Sequence, residues 1–321
     1  EADLSGVKEG GVDMTLQVRD EEEKGLLEGS RVIKHDGKYY LLMISWPNGG
    51  KRRQLCYRAD KITGPYEKKV ILCDNFAGFP YVGQGTIVDD AKGNWYGVIF
   101  QDRGGVGRVL TLSPCHWIDG WPMLGDEGKD LITYPKPATG KKSKIKSPAT
   151  TDEFNASQLG LQWQWNHNPD NSRWSLKERK GYMRLYASQA STLKDARNTL
   201  TQRVQGPSCE GSVEMEVTGL KDGNIAGFGI FEFPYAYVAI RQESGRRKIV
   251  MCNDGKDIET VEHFNGDKLW IRVRATDKEF KALFYYSLDG VNYKRIGNEL
   301  QMGLGLPWTA NRFALFNFNT T

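Results

Sequence analysis

Glu28, in Leu27-Glu28-Gly29-Ser30, is a carboxylate at the entry of a predicted strand. The glycine after it allows close backbone packing. A carboxyl held there can carry a proton near neutral pH if burial and nearby negative charge raise its pKa. The alternative is an ordinary surface carboxylate beside the acidic run Glu21–Glu23. Other chemistries find less support. The four histidines form no HExxH-like pair, and the five cysteines (Cys56, Cys73, Cys115, Cys209, Cys252) form no CxxC. Both facts argue against a zinc or thioredoxin-like site, and the odd count argues against a full disulfide framework. Asp152 and Glu153 are adjacent carboxylates, the ligand type preferred by a structural Ca²⁺. Trp46 reads as a sugar-stacking ring or as core packing. Gln101 and Asp102 read as a strand-end cap before channel-lining groups. Phe231-Glu232-Phe233-Pro234-Tyr235 forms an aromatic loop between strands.

The bulk numbers set the frame for these residues. The 321 residues allow two domains, each with its own core. Charged residues are 26% and the net charge is +4, so no strongly basic field points to nucleic acid. The most basic stretch, Lys141–Lys146, reads as a solvated linker. No apolar run approaches a membrane span. The first residues lack the basic and apolar regions of a signal peptide, although one could have been removed. Nine Trp, fourteen Tyr and thirteen Phe suit strands, and they suit sugars, whose C–H faces stack on flat rings.

Helical periodicity is weak. Short apolar or alternating runs recur at Tyr39–Ser45, Trp95–Phe100, Leu269–Ala275 and Ala282–Ser287. Asp36-Gly37, Lys92-Gly93, Asp254-Gly255 and Asp289-Gly290 sit between such runs as turn signals. The pattern predicts an all-β protein. The Pro- and Lys-rich stretch Tyr134–Thr151 marks a linker, so the expected domains are residues 1–134 and 152–321, joined by 135–151. Within the first, Glu28–Leu42 and Gln84–Val98 repeat one pattern at an offset of 56 residues. Each reads as the innermost strand and hairpin of a propeller blade, close to the roughly 50-residue period of kelch-type blades. A propeller closes with roughly four to eight blades, so two blades predict either a fragment or a companion polypeptide that supplies earlier ones. Residues 152–321 hold at least eight strand candidates, among them Tyr182–Tyr186, Gly211–Val217, Gly227–Phe231, Tyr237–Arg241, Lys248–Cys252 and Arg312–Asn317. Their alternation predicts a jelly-roll sandwich.

Leu27-Glu28-Gly29-Ser30, Ile44-Ser45-Trp46-Pro47-Asn48-Gly49-Gly50, Gly64-Pro65-Tyr66, Gly83-Gln84-Gly85-Thr86, Gly93-Asn94-Trp95-Tyr96, Gly107-Arg108 and Asp119-Gly120-Trp121-Pro122 occur in that order. Together they resemble glycoside hydrolase family 43. Asp152-Glu153-Phe154, Trp163–Pro169, Trp174-Ser175-Leu176 and Leu200-Thr201-Gln202-Arg203 resemble the concanavalin-like C-terminal sandwich of the family's β-xylosidases and α-L-arabinofuranosidases. The resemblance implies the later part of a five-bladed propeller followed by that sandwich. It implies inverting, exo-acting removal of terminal xylose or arabinose from plant cell-wall polysaccharides or oligosaccharides, with Glu28 as general acid. It implies a general-base Asp and a pKa-modulating Asp from an N-terminal propeller segment. Asp3 and Asp13 match neither motif. It implies sugar contacts from Arg108 and Gln84, the latter by direct amide hydrogen bonding, since an amide cannot switch charge as His can. Phe233 or Tyr235 would narrow the pocket. The chemistry requires no cofactor, the substrate is a xylo- or arabino-oligosaccharide, neither nucleic acid nor membrane is a partner, and the expected location is secreted or periplasmic. A non-catalytic carbohydrate-binding propeller–sandwich is the alternative.

Overall fold

The computed structural model describes residues 5–6, 20–75, 82–129, 133–135, 137, 144, 146–276, 279–303 and 309–321. Asp3, Asp13 and most of the Lys141–Lys146 stretch fall outside them. Among the described residues there is no α-helix; strands carry the structure, as expected. The chain divides into two compact units. One is Glu1–Asp102 with Val109–Lys142; the other is Ser143–Thr321 together with Arg103–Arg108.

The first unit holds two four-stranded antiparallel sheets. One runs β1 (Leu26–His35), β2 (Lys38–Trp46), β3 (Arg53–Ala59) and β4 (Glu67–Leu72) in order. The other repeats the order with β5 (Val82–Asp89), β6 (Trp95–Asp102), β7 (Arg108–Ile118) and β8 (Trp121–Leu124). These are the two blades legible as a repeat, and β1 and β5 begin 56 residues apart. Asp36-Gly37 (φ 44° and 77°) and Asp119-Gly120 (φ 53° and 72°) close tight hairpins in the left-handed conformation that such turns demand. At Lys92-Gly93 the turn is tied instead by Asp90, whose carboxylate accepts the Lys92 and Asn94 N–H groups at 2.8 and 2.9 Å. Tyr40, Leu42, Cys56, Ile71 and Leu72 of one sheet share a buried cluster with Val82, Ile87, Ile99, Cys115, Trp121, Met123 and Leu124 of the other.

In the second unit the strands are β9 (Gln164–Trp165), β10 (Trp174–Ser175), β11 (Arg184–Leu185), β12 (Ser188–Gln189), β13 (Leu200–Arg203), β14 (Ser208–Glu216), β15 (Asn224–Phe231), β16 (Ala236–Glu243), β17 (Arg246–Asn253), β18 (Lys256–Val261), β19 (Lys268–Thr276), β20 (Lys281–Ser287), β21 (Lys294–Arg295), β22 (Leu300–Gln301) and β23 (Arg312–Asn319). An eight-stranded sheet runs β18-β17-β16-β15-β23-β13-β9, with β12 beside β23. A five-stranded sheet runs β14-β19-β20-β21, with β22 beside β20. Phe228, Ile230, Val238, Ile240 and Met251 of the large sheet meet Ile271, Val273 and Phe284 of the small one in the main core. The opposite face of the large sheet is buried as well. Tyr237, Ala239, Val250, Cys252, Phe316 and Phe318 pack there under Ala190, Leu193 and Ala196. Burial on both faces explains why β15 and β16 read as nearly continuous apolar runs, whereas β14 alternates strictly against solvent.

Candidate functional site

Each blade begins with an irregular strand, and the two irregularities meet. In β1 the register shifts between Glu28 and Arg31, and Gly29 adopts φ 68°. In β5 it shifts between Gly83 and Gly85, and Gln84 adopts φ 59°. Such bulges add a residue to one strand and re-aim side chains. A Cβ built on Gly29 would lie 2.4 Å from Gln84 Nε2 and 2.8 Å from its Cδ. The side chain of Gln84 therefore rests directly on the peptide beside Glu28. Only glycine satisfies both the positive φ and that approach.

Glu28 faces Ile44 across the strand pair, and Ile44 faces Gln54 on β3. Directly opposed residues share a face of the sheet, so Glu28, Ile44 and Gln54 form one cross-strand row. Ile44 is buried and packs at Gly83. Gln54 is also buried. Its Nε2 donates to Met43 O at 3.0 Å, and its Oε1 accepts the Gln84 N–H at 2.7 Å. Glu28 itself is exposed among the described residues. Gln84 Oε1 is shielded and has no hydrogen-bond partner among them.

The remaining expected residues fall in different surroundings. Trp46 ends β2 opposite Leu26, half-buried, and its Nε1 donates to Gly50 O at 3.1 Å. Arg108 opens β7, half-buried, just after Gly107, where a Cβ would come within 2.7 Å of the Ala310 Cβ. Phe233 is exposed on the second unit beneath the Lys194 ammonium, 4.5 Å from the ring centroid. Tyr235 is a correction. It is 4% exposed and lies in the second core of the sandwich, its ring parallel to Tyr237 at 6.0 Å, so it packs rather than contacts a ligand.

Asp152 and Glu153, the residues expected to hold a structural Ca²⁺, open the loop that begins the sandwich. Asp152 Oδ1 accepts the Phe154 N–H at 2.7 Å, while Oδ2 accepts Trp163 Nε1–H at 2.8 Å and Gln162 Nε2–H at 3.3 Å. Three protein donors thus engage the Asp152 carboxylate, while Glu153 is exposed. Their role is to tie the loop that begins the sandwich.

Of the acidic run Glu21–Glu23, Glu23 is fully buried. It accepts hydrogen bonds from Ser45 Oγ, Arg53 and Lys68. Lys68, donating at 2.8 Å to each, holds Asp20 and Glu22 below the usual carboxylate range. This acidic trio is thus neutralised by cations. Asp102 was read as a strand-end cap; it forms a buried ion pair with Arg52, which also stands 5.0 Å above the Phe100 ring centroid. Gln54 was missed altogether. Its only sequence signal is a polar residue in an otherwise apolar strand.

Two family models match the chain: "Glycosyl hydrolases family 43" over residues 3–122 and "Beta xylosidase C-terminal Concanavalin A-like domain" over residues 151–320. A β-xylosidase of Formosa agariphila is 30% identical over 91% of this chain and 56% of its own length. A non-reducing end α-L-arabinofuranosidase of Bacteroides ovatus is 30% identical over 49% of this chain and 32% of its own length. The solved structure of a bifunctional GH43-CE protein of Bacteroides eggerthii is 40% identical, with a TM-score of 0.89, covering 100% of this chain and 42% of that one. The chain spans about half the length of the curated relatives that match most of it. Two blades with paired strand-entry bulges, a two-sheet sandwich and these matches together place the chain in glycoside hydrolase family 43, with propeller blades followed by the family's concanavalin A-like domain.

Proposed function

We propose that this chain supplies the general acid, Glu28, of an inverting exo-glycosidase that releases terminal xylose or arabinose from plant cell-wall polysaccharides or oligosaccharides. The observation that carries the reading is the meeting of Glu28-Gly29 with Gln84 at the first strands of adjacent blades. Propeller enzymes gather side chains from such strands around a central channel. The names of the relatives, β-xylosidase and α-L-arabinofuranosidase, supply the substrate class.

In this mechanism the Glu28 proton passes to the glycosidic oxygen as the bond from that oxygen to the anomeric carbon breaks. A water, deprotonated by an opposed aspartate, adds its hydroxide to the other face of the same carbon. The two carboxyls stand roughly 6.5–9.5 Å apart to admit that water. We assign the aspartates to an N-terminal propeller segment, which also buries Glu28 and so keeps it protonated. No cofactor takes part. A polymeric substrate argues for a secreted or periplasmic location, which cell fractionation tests.

The deciding experiment is Glu28→Gln in the full-length protein. Turnover of xylobiose, a poor leaving group, should fall about 10²–10⁴-fold, the contribution of a positioned acid. Turnover of 2,4-dinitrophenyl xyloside, which needs no protonation, should fall far less. Equal loss on both substrates, or none on xylobiose, overturns the assignment.

A further inference from the structure

The geometry points to Gln54 as a positioning residue that holds Gln84, and through it the Glu28 strand entry, in place; this rests on the general-acid reading of Glu28. Gln54 lies on β3 of the first blade, is 2% exposed, and bonds to the second blade. Its amide orientation is fixed by its neighbours. Nε2 donates to Met43 O at 3.0 Å and Leu55 O at 3.4 Å, and Oε1 accepts the Gln84 N–H at 2.7 Å. The flipped amide would set a donor against a donor and an acceptor against two carbonyls.

What Gln54 grips is strained. Gln84 is a non-glycine residue at φ 59°, a conformation that persists only where its surroundings enforce it. The Gln84 N–H sits in the bulge between Gly83 and Gly85, where the ladder to β6 is interrupted, so the bond to Gln54 satisfies a donor the ladder leaves over. Gln54 sits at a register shift of its own, between Gln54 and Leu55 in the β3–β4 pair. Three irregular strands thus converge. Gln54 fixes the backbone of Gln84, the Gln84 side chain lies on Gly29, and Gly29 adjoins Glu28. The cross-strand row Glu28–Ile44–Gln54 joins the same two ends through the sheet, and Ile44 fills the space at Gly83. No atom of Gln54 need touch substrate for its loss to displace the acid.

A double-mutant cycle in the full-length protein tests this, with xylobiose as probe and Gln54→Leu and Gln84→Ala as the two changes. Gln54→Leu should lower kcat at least tenfold with little change in KM. In the Gln84→Ala background the same change should cost less than threefold, because its target is gone. Equal losses in both backgrounds overturn the proposal. A second readout needs no turnover. Exchange of the Gln84 amide hydrogen should quicken at least 100-fold in Gln54→Leu, with the Leu42 and Tyr57 amides unchanged; an unchanged Gln84 rate also overturns it. If the Leu variant does not fold, Gln54→Glu serves. Its carboxylate accepts from Gln84 but faces two carbonyl oxygens, and protonation restores one donor. Its activity relative to wild type should therefore rise as the pH falls, whereas a ratio independent of pH refutes the proposal. Should Glu28→Gln retain full xylobiose turnover, the acid reading fails, and the exchange rate still decides whether Gln54 holds Gln84.

Discussion

At Gly29, next to Glu28, the Gln84 side chain of the second blade rests on the first. Replacing Gly29 with Ala forces a side chain into φ 68° and toward Gln84 at 2.4–2.8 Å. The conformational part costs about 1–2 kcal/mol and the close contact about 1–3 more. Denaturant unfolding of Gly29→Ala should show that combined loss, and adding Gln84→Ala should return the contact part alone. A second residue carries a pH signature. Burial pushes the Glu232 carboxyl above the usual range, against the opposing pull of the Thr309 hydroxyl, the Arg312 charge and the Phe233 N–H. A folded-state pKa above the unfolded value means stability is full below the unfolded pKa and falls as pH rises through the folded one. Glu232→Gln keeps an acceptor for Thr309 and removes the ionisation. Its melting temperature should exceed that of the wild type at pH 7, and the gap should close near pH 4; a constant gap refutes the cause. At this scale the repeat disclosed that Glu28 and Gln84 occupy corresponding strand entries, which the paired bulges bear out. Gln54 stayed hidden because its partner is 30 residues away on another sheet, which no local pattern encodes. Tyr235 misled because an aromatic in a short connection looks the same whether it faces a ligand or a second core.

Turns and bulges set the elements, and they differ in how far sequence discloses them. Asp36-Gly37, Asp254-Gly255 and Asp289-Gly290 are turns where expected, because the left-handed conformation restricts residue choice. The two glycines that flank the bulge in β5, Gly83 and Gly85, were visible only as a motif, since their cause lies in neighbours. A Cβ on Gly85 would come 2.0 Å from Val98 O. The loop from Asp152 to Trp163 is tied by protein donors that adjacent carboxylates in the sequence do not disclose. Its carboxylate accepts from a backbone amide, an indole and a side-chain amide. Asp152→Ala should therefore cost about 1–3 kcal/mol, the penalty for leaving buried donors unmade. Chelation with EDTA should leave the melting temperature of the wild-type sandwich unchanged. A drop on chelation, reversed by Ca²⁺, would reinstate a metal.

Taken whole, the two units differ in how fully they enclose their own apolar surface. The sandwich has a core between its sheets and a second core under residues 190–196, and the outer face of its small sheet carries the ion pairs Glu210–Arg274 and Glu214–Lys268. Both cores lie within residues 144–321, and Arg103–Arg108 adds to the unit through the Asn311 N–H, which donates to Gly105 O at 2.9 Å, so residues 144–321 should fold alone but melt at a lower temperature than the same sandwich in the whole chain. The blades are different. Leu110 is 72% exposed and Leu112 47%, side by side on one face of β7, and Val32 and Val88 are also exposed on the first strands of their sheets. Contiguous apolar strands left open invite pairing with another surface. The proposed N-terminal segment is a surface of the right kind, because blades in a propeller bury just such faces against one another. Residues 20–129 alone should then bind a hydrophobic dye and melt without a sharp transition. Adding the segment should abolish dye binding and sharpen the melt, and Leu110→Asp should prevent both effects while leaving the isolated sandwich untouched. If residues 20–129 prove compact and dye-free by themselves, the blades need no companion, and the opposed aspartates must be sought elsewhere.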